Sequence, residues 1–101
     1  MLYDSAMEPT WTFLTNHAHV LITIARDPEI RMRDIAGRVG ITERAAFRIV
    51  GDLADAGYLV RSRVGRRSRY RLALDRKMRH EVERPGSVRQ LVDAFLTPED
   101  G

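Results

Sequence analysis

The 101-residue sequence contains no cysteine. Disulfides, thiolate nucleophiles and cysteine-ligated zinc sites are therefore excluded, and the absence fits a reducing compartment. Long apolar runs are missing too. The longest, Val20 to Ala25, is interrupted by Thr23, far short of the roughly 18 apolar residues that a membrane span requires. No Lys or Arg precedes Arg26, while Asp4 and Glu8 lie near the start, so the beginning of the chain does not look like a secretion signal. A cytoplasmic protein without membrane contact is expected. No serine stands in a nucleophile-elbow context and no glycine-rich phosphate loop occurs, which argues against hydrolytic and nucleotide chemistry. His17 and His19 are two residues apart and on a helix would point in different directions. Neither a metal site nor a cofactor is expected, and no enzymatic activity.

Positive charge is present and unevenly placed. Of the net charge of +3, residues 1–43 carry −2, residues 44–79 carry +8 and residues 80–101 carry −3. The stretch RSRVGRRSRY, residues 61–70, holds five arginines and no acid. Such a zone between mildly acidic ends suits a polyanion on one face and a different partner on the other. At 44% hydrophobic and 31% charged, the length and composition suit one globular domain with a modest core.

The apolar spacing is helical three times before the basic zone. A first helix is expected from Asn16 or His17 to about Arg26, with Val20, Leu21 and Ile24 on one stripe and Pro28 beyond its exit. A short second helix, about Met32 to Val39, turns Ile35, Ala36 and Val39 inward, with Asp34 in the first turn where the helix dipole favours it. Arg31 and Met32 are poor caps for its start. Gly40 stops it and permits a sharp turn. Ile41 plugs the corner, and Thr42 caps a third helix running to about Ala56. At 100° per residue, Thr42, Ala46, Ile49, Val50, Leu53 and Ala56 share its inner stripe. Arg44, Arg48, Gly51 and Asp55 lie opposite, with Glu43 and Phe47 on a flank. Two helices around a tight turn, the second with an arginine-led outer face, have the spacing of a helix-turn-helix whose second helix can enter a major groove.

After Gly57, the apolar residues Tyr58, Leu59 and Val60 lead into the arginines. Tyr70, Leu72 and Leu74 then alternate with Arg69, Arg71 and Ala73, the period-two pattern of a strand with one face on a core. Gly65 stands where the chain must reverse. A β-hairpin with a projecting tip, Val64 to Ser68, follows from this. Beyond it, Pro85 and Gly86 break the chain. Ser87 and Gln90 form a capping-box signature for a last helix with Val88, Leu91, Val92 and Phe95 on one face. Near the other end Trp11, Phe13 and Leu14 form an apolar arm, each large side chain costing roughly 1.5 to 3 kcal/mol to leave in water.

The segments DIAGRVGITERAAFRIVGDLADAGYLVR and GRRSRYRL, within about residues 11–74, together resemble the bacterial winged helix-turn-helix transcriptional regulators of the MarR-like and ArsR-like kind. The resemblance implies a mainly α fold with a β-hairpin wing. It also implies a homodimer on double-stranded DNA, with the helix at about 42–56 in the major groove and the wing, 61–71, on the minor groove or backbone. Thr42, Arg44, Phe47 and Arg48 would then meet the groove, Arg66 and Arg67 would stand at the wing tip on the minor groove or backbone, and Arg63 and Arg69 would flank them on phosphates. Phe47 departs from the polar reader usual at such a place; it would either touch a thymine methyl or turn inward. Trp11, Phe13, Leu91 and Phe95 would serve dimerisation. In this reading residues 1–8 are a flexible tail, 9–79 the DNA-binding domain and 80–101 a C-terminal helical element for pairing. A non-catalytic protein-interaction or RNA-associated winged helix is the alternative. The sequence names no operator and no effector.

Overall fold

A computed structural model describes residues 10–96; the expected tail at 1–8 lies outside the described residues. Three helices, α1 (Asn16–Arg26), α2 (Met32–Val39) and α3 (Glu43–Asp55), precede an antiparallel hairpin of β1 (Leu59–Val64) and β2 (Arg67–Leu72), and α4 (Val88–Leu96) follows. This is a winged helix-turn-helix, mainly α with a two-stranded wing.

Helix ends account for most of the turns. Thr15 caps α1 by accepting from the Ala18 amide at 3.3 Å, and Thr42 caps α3 by accepting from the Ala45 amide at 3.0 Å. As expected, α2 begins at Arg31 with no side-chain cap. Its end is better defined: Gly40 takes φ +85°, and the Ile41 amide reaches back to the Ala36 carbonyl at 3.0 Å. α3 ends the same way. Gly57 has φ +87°, with the Gly57 amide on Ala54 O at 3.0 Å and the Tyr58 amide on Leu53 O at 2.8 Å. This is the paired bonding of a Schellman motif, in which a left-handed glycine satisfies carbonyls the helix leaves open. In each case the next residue is apolar and folds back onto the domain: Ile41 packs against the core and Tyr58 is part of it.

The core draws on every element: Val20, Leu21 and Ile24 of α1, Ile35 and Ala36 of α2, Ala46, Ile49, Val50 and Leu53 of α3, Leu59 and Tyr70 of the wing base, and Val88 and Val92 of α4. Of the inner stripe expected for α3, Ala46, Ile49, Val50 and Leu53 are buried, Ala56 is half-buried and Thr42 is exposed at the cap. Thr23, the polar break in the first apolar run, is buried without penalty because its hydroxyl donates to the His19 carbonyl at 2.7 Å. The capping box forms as read: the Ser87 amide donates to Gln90 Oε1 at 2.9 Å and the Gln90 amide to Ser87 Oγ at 3.3 Å.

The apolar face of α4 divides. Val88 and Val92 are committed to the core of their own chain and Leu91 is half-buried against it, so only Phe95 and Leu96 are left outward. The aromatic arm docks less than its composition suggests. Trp11 and Phe13 pack edge to face at 5.1 Å between centroids, yet remain 68% and 92% exposed.

Candidate nucleic-acid interface

The face built by α3 and the wing begins with the inward stripe of α3. With Ala46, Ile49, Val50 and Leu53 buried, helical geometry places Arg44 and Arg48 one turn apart on the solvent side, and both are exposed. The C-terminal half of that side carries Gly51, Asp52 and Asp55. Arg44 and Arg48 therefore lie in the half where the helix dipole is also positive, though Glu43 shares the first turn with them, and Asp52 and Asp55 lie in the other half. With two arginines against one acid in the first half and two acids in the second, an anionic partner is favoured at the start of α3 and disfavoured at its end. Thr42 stands at the favoured end. Its oxygen is used by the Ala45 amide, which leaves its hydroxyl proton free to donate outward.

Phe47, for which two orientations were open, lies 55% exposed on the surface. It borders a cleft of about 320 Å³ between the start of α2, α3 and the wing, along with Arg31, Arg61, Arg66, Arg67 and Glu29. Arg31 and Arg61 were not among the residues singled out from the sequence. Arg31 stood out there only as a poor cap, and its distance of 30 positions from Arg61 gives no local pattern; the fold brings them together.

The wing's two faces follow from its register. Leu59 pairs with Leu72, Arg61 with Tyr70 and Arg63 with Ser68 on one face; Val60 pairs with Arg71, Ser62 with Arg69 and Val64 with Arg67 on the other. Gly65 and Arg66 form the two-residue loop, and Gly65 supplies φ +64°, the positive value needed at the first position of a type II′ turn. The turn leaves Arg66 and Arg67 at the tip, both exposed. Arg63 is partly occupied, its Nη1 donating to the Arg66 carbonyl at 3.3 Å, and Arg61 Nε donates to Ser68 Oγ at 3.3 Å. Arg69 is drawn to Glu29, Nε to Oε2 at 3.5 Å.

The four residues singled out for dimerisation lie away from this surface. Leu14 borders two hollows, one shared with Phe13 and Leu91 and the other with Phe95, so the arm and α4 form one neighbourhood. Trp11 meets Phe13 edge to face. His17 and His19 diverge: His17 Nε2 lies 2.9 Å from Asp52 Oδ2, whereas His19 Nδ1 is 3.3 Å from Asn16 Oδ1. No helix among the described residues is long and apolar enough to cross a membrane.

The arrangement can attract a polyanion, seat a helix in a groove about 12 Å wide and touch the flanking backbone with a projecting tip. Comparison with known families agrees in kind. The family model described as "MarR family" matches residues 12–69, more than half of the chain and all of α1, α2, α3 and β1 with the wing tip. No curated protein matches.

Proposed function

The chain belongs to the MarR family of winged-helix regulators, and on that footing we propose that it is a sequence-specific transcription regulator acting as a homodimer on double-stranded DNA. The observation that carries this reading is the pairing of two surfaces. Arg44 and Arg48 lie one turn apart on the exposed side of α3, and Phe47 of the same helix shares a cleft with Arg61, Arg66 and Arg67 of the wing. In the proposed complex α3 enters the major groove. Arg44 and Arg48 present guanidinium groups to guanine O6 and N7, each good bidentate pair contributing roughly 1 to 3 kcal/mol of base discrimination. Thr42 donates to the backbone at the groove edge and Phe47 meets a thymine methyl. Arg66 and Arg67, with Arg63 behind them, contact phosphates and contribute affinity without regard to sequence.

The exposed aromatic arm and the outward end of α4 support pairing of two chains through Trp11, Phe13, Phe95 and the rim of Leu91. A two-fold dimer would favour an inverted repeat with half-sites about 10 base pairs apart, or a multiple of that. The test is equilibrium binding of the purified protein to a random-sequence duplex and to selected duplexes over a range of salt. Tight, salt-dependent binding with a preferred site is the expected result. Binding to no duplex would return the chain to the protein-interaction or RNA-associated reading.

A further inference from the structure

Among the arginines of the wing cleft stands one acid, Glu29, on the loop between α1 and α2. Its carboxylate faces Arg69 at 3.5 Å. Arg67, Arg69 and Arg71 share one face of β2, and among the described residues only the middle one has an acidic partner. We infer that Glu29 withholds Arg69 from the DNA backbone, so that this arginine does not make the phosphate contact the resemblance implied for it. The inference rests on the DNA-binding reading proposed above.

The pair is not needed to attach the wing. The Tyr70 amide donates to the Pro28 carbonyl at 2.9 Å, and Tyr70 is itself buried in the core. The loop is fixed independently as well, since the Glu29 amide donates to Asp27 Oδ1 at 3.2 Å and the Ile30 amide to Asp27 O at 3.0 Å. Ile30 is buried. The carboxylate is therefore carried by a rigid support on one side and the guanidinium by a rigid strand on the other, so the two meet without either being required to hold the other in place. An exposed ion pair of this kind adds little stability. Its effect is felt instead by an incoming phosphate. A phosphate that takes Arg69 must come beside the Glu29 carboxylate, a like-charge contact of the sort that disfavours an otherwise attractive approach.

The test uses the full chain and a random-sequence DNA duplex, measuring affinity as a function of salt for the wild type, Glu29→Gln, Arg69→Ala and the double variant. Glu29→Gln should steepen the salt slope by about 0.9 per protomer, equivalent to roughly eightfold tighter binding at 0.1 M salt relative to the same comparison at 1 M. Arg69→Ala alone should leave the slope unchanged, and adding it to Glu29→Gln should restore the wild-type slope. Glu29→Asp, which keeps the charge, should behave as wild type. Unchanged melting temperatures would show that the wing is intact throughout.

Three outcomes overturn the inference. A slope that falls by about 0.9 in Arg69→Ala alone would mean that Arg69 already contacts phosphate. Weaker binding by Glu29→Gln would mean that the carboxylate orients the wing for DNA. A gain in Glu29→Gln that survives loss of Arg69 would be a general effect of charge. Failure of the wild type to bind DNA at all is a different result, and removes the DNA-binding reading along with this one.

Discussion

Replacing both Arg66 and Arg67 with alanine separates DNA contact from folding more cleanly than any other change in this chain. Both side chains are exposed, and among the described residues neither takes part in an ion pair or a side-chain hydrogen bond. The Arg66 carbonyl, which accepts from Arg63, and the pairing of Arg67 with Val64 belong to the backbone and survive the substitution. Stability should therefore change by less than about 1 kcal/mol, or no more than roughly 4–8 °C in melting temperature for a domain of this size. Binding should change much more. Each phosphate contact contributes about 0.9 to the slope of log affinity against log salt, so two lost contacts lower the slope by about 1.8 per protomer and about 3.6 in a symmetric dimer. Over a fourfold rise in salt, from about 0.05 to 0.2 M, the variant should lose roughly 12-fold less affinity than wild type per protomer, or roughly 150-fold less per dimer. Fluorescence anisotropy with a labelled duplex across that range reads the slope directly. An unchanged slope would refute the placement of the tip on the DNA backbone, and a large loss of melting temperature would show that the tip holds the fold.

Other substitutions probe the frame and the pairing surface. Thr42→Ala removes the α3 cap and should lower stability by about 1 kcal/mol in urea denaturation. Gly57→Ala places a Cβ at φ +87° and 3.2 Å from Arg76 Cζ; a cost of about 1–2 kcal/mol is expected from the left-handed backbone alone, read by the same assay. On α4 two positions should behave oppositely. Val88 is fully buried, so Val88→Ala, which deletes two methyl groups at ~0.8 kcal/mol each and leaves a cavity, should destabilise by about 2 kcal/mol without changing the oligomeric state. Phe95 is 43% exposed, so Phe95→Asp should leave the fold of the single chain largely intact while light scattering reports monomers; a wild type that is itself monomeric at micromolar concentration would refute the pairing surface.

Much of the frame was legible because its signals are local. Gly40 and Gly57 each stand just past an apolar-periodic run and are followed by Ile41 and Tyr58, and the left-handed stops form there. Ser87 and Gln90 are three residues apart and their reciprocal bonds are present. The alternation through Tyr70 and Leu72 located the core-facing side of β2. What escaped depends on contacts between residues distant in sequence. The bond from Tyr70 to Pro28 makes the α1–α2 loop a support for the wing, yet proline at 28 reads only as the end of a helix. Glu29 and Arg69 are each unremarkable in their own segments. Periodicity grouped Val88, Leu91, Val92 and Phe95 on one face but carries no information about how that face is shared between the chain's own core and a second molecule. Phe47 sits at the flank of its helix, where helical angle alone does not decide between inward and outward; the neighbouring wing leaves room for it at the cleft.

Selection from a pool of randomised duplexes, carried out in parallel with the wild type, Arg44→Ala, Arg48→Ala and the Arg66 and Arg67 double variant, tests most directly that α3 reads the sequence while the wing grips the backbone. The wild type should enrich an inverted repeat with half-sites about one helical turn, ~10 base pairs, apart or a multiple of it. Each α3 variant should relax preference at defined positions in both half-sites, by roughly 1 to 3 kcal/mol per lost bidentate contact, and the wing variant should select the same motif with weaker binding throughout. No enriched motif for the wild type, or loss of discrimination only in the wing variant, would contradict the assignment of α3 as the reader.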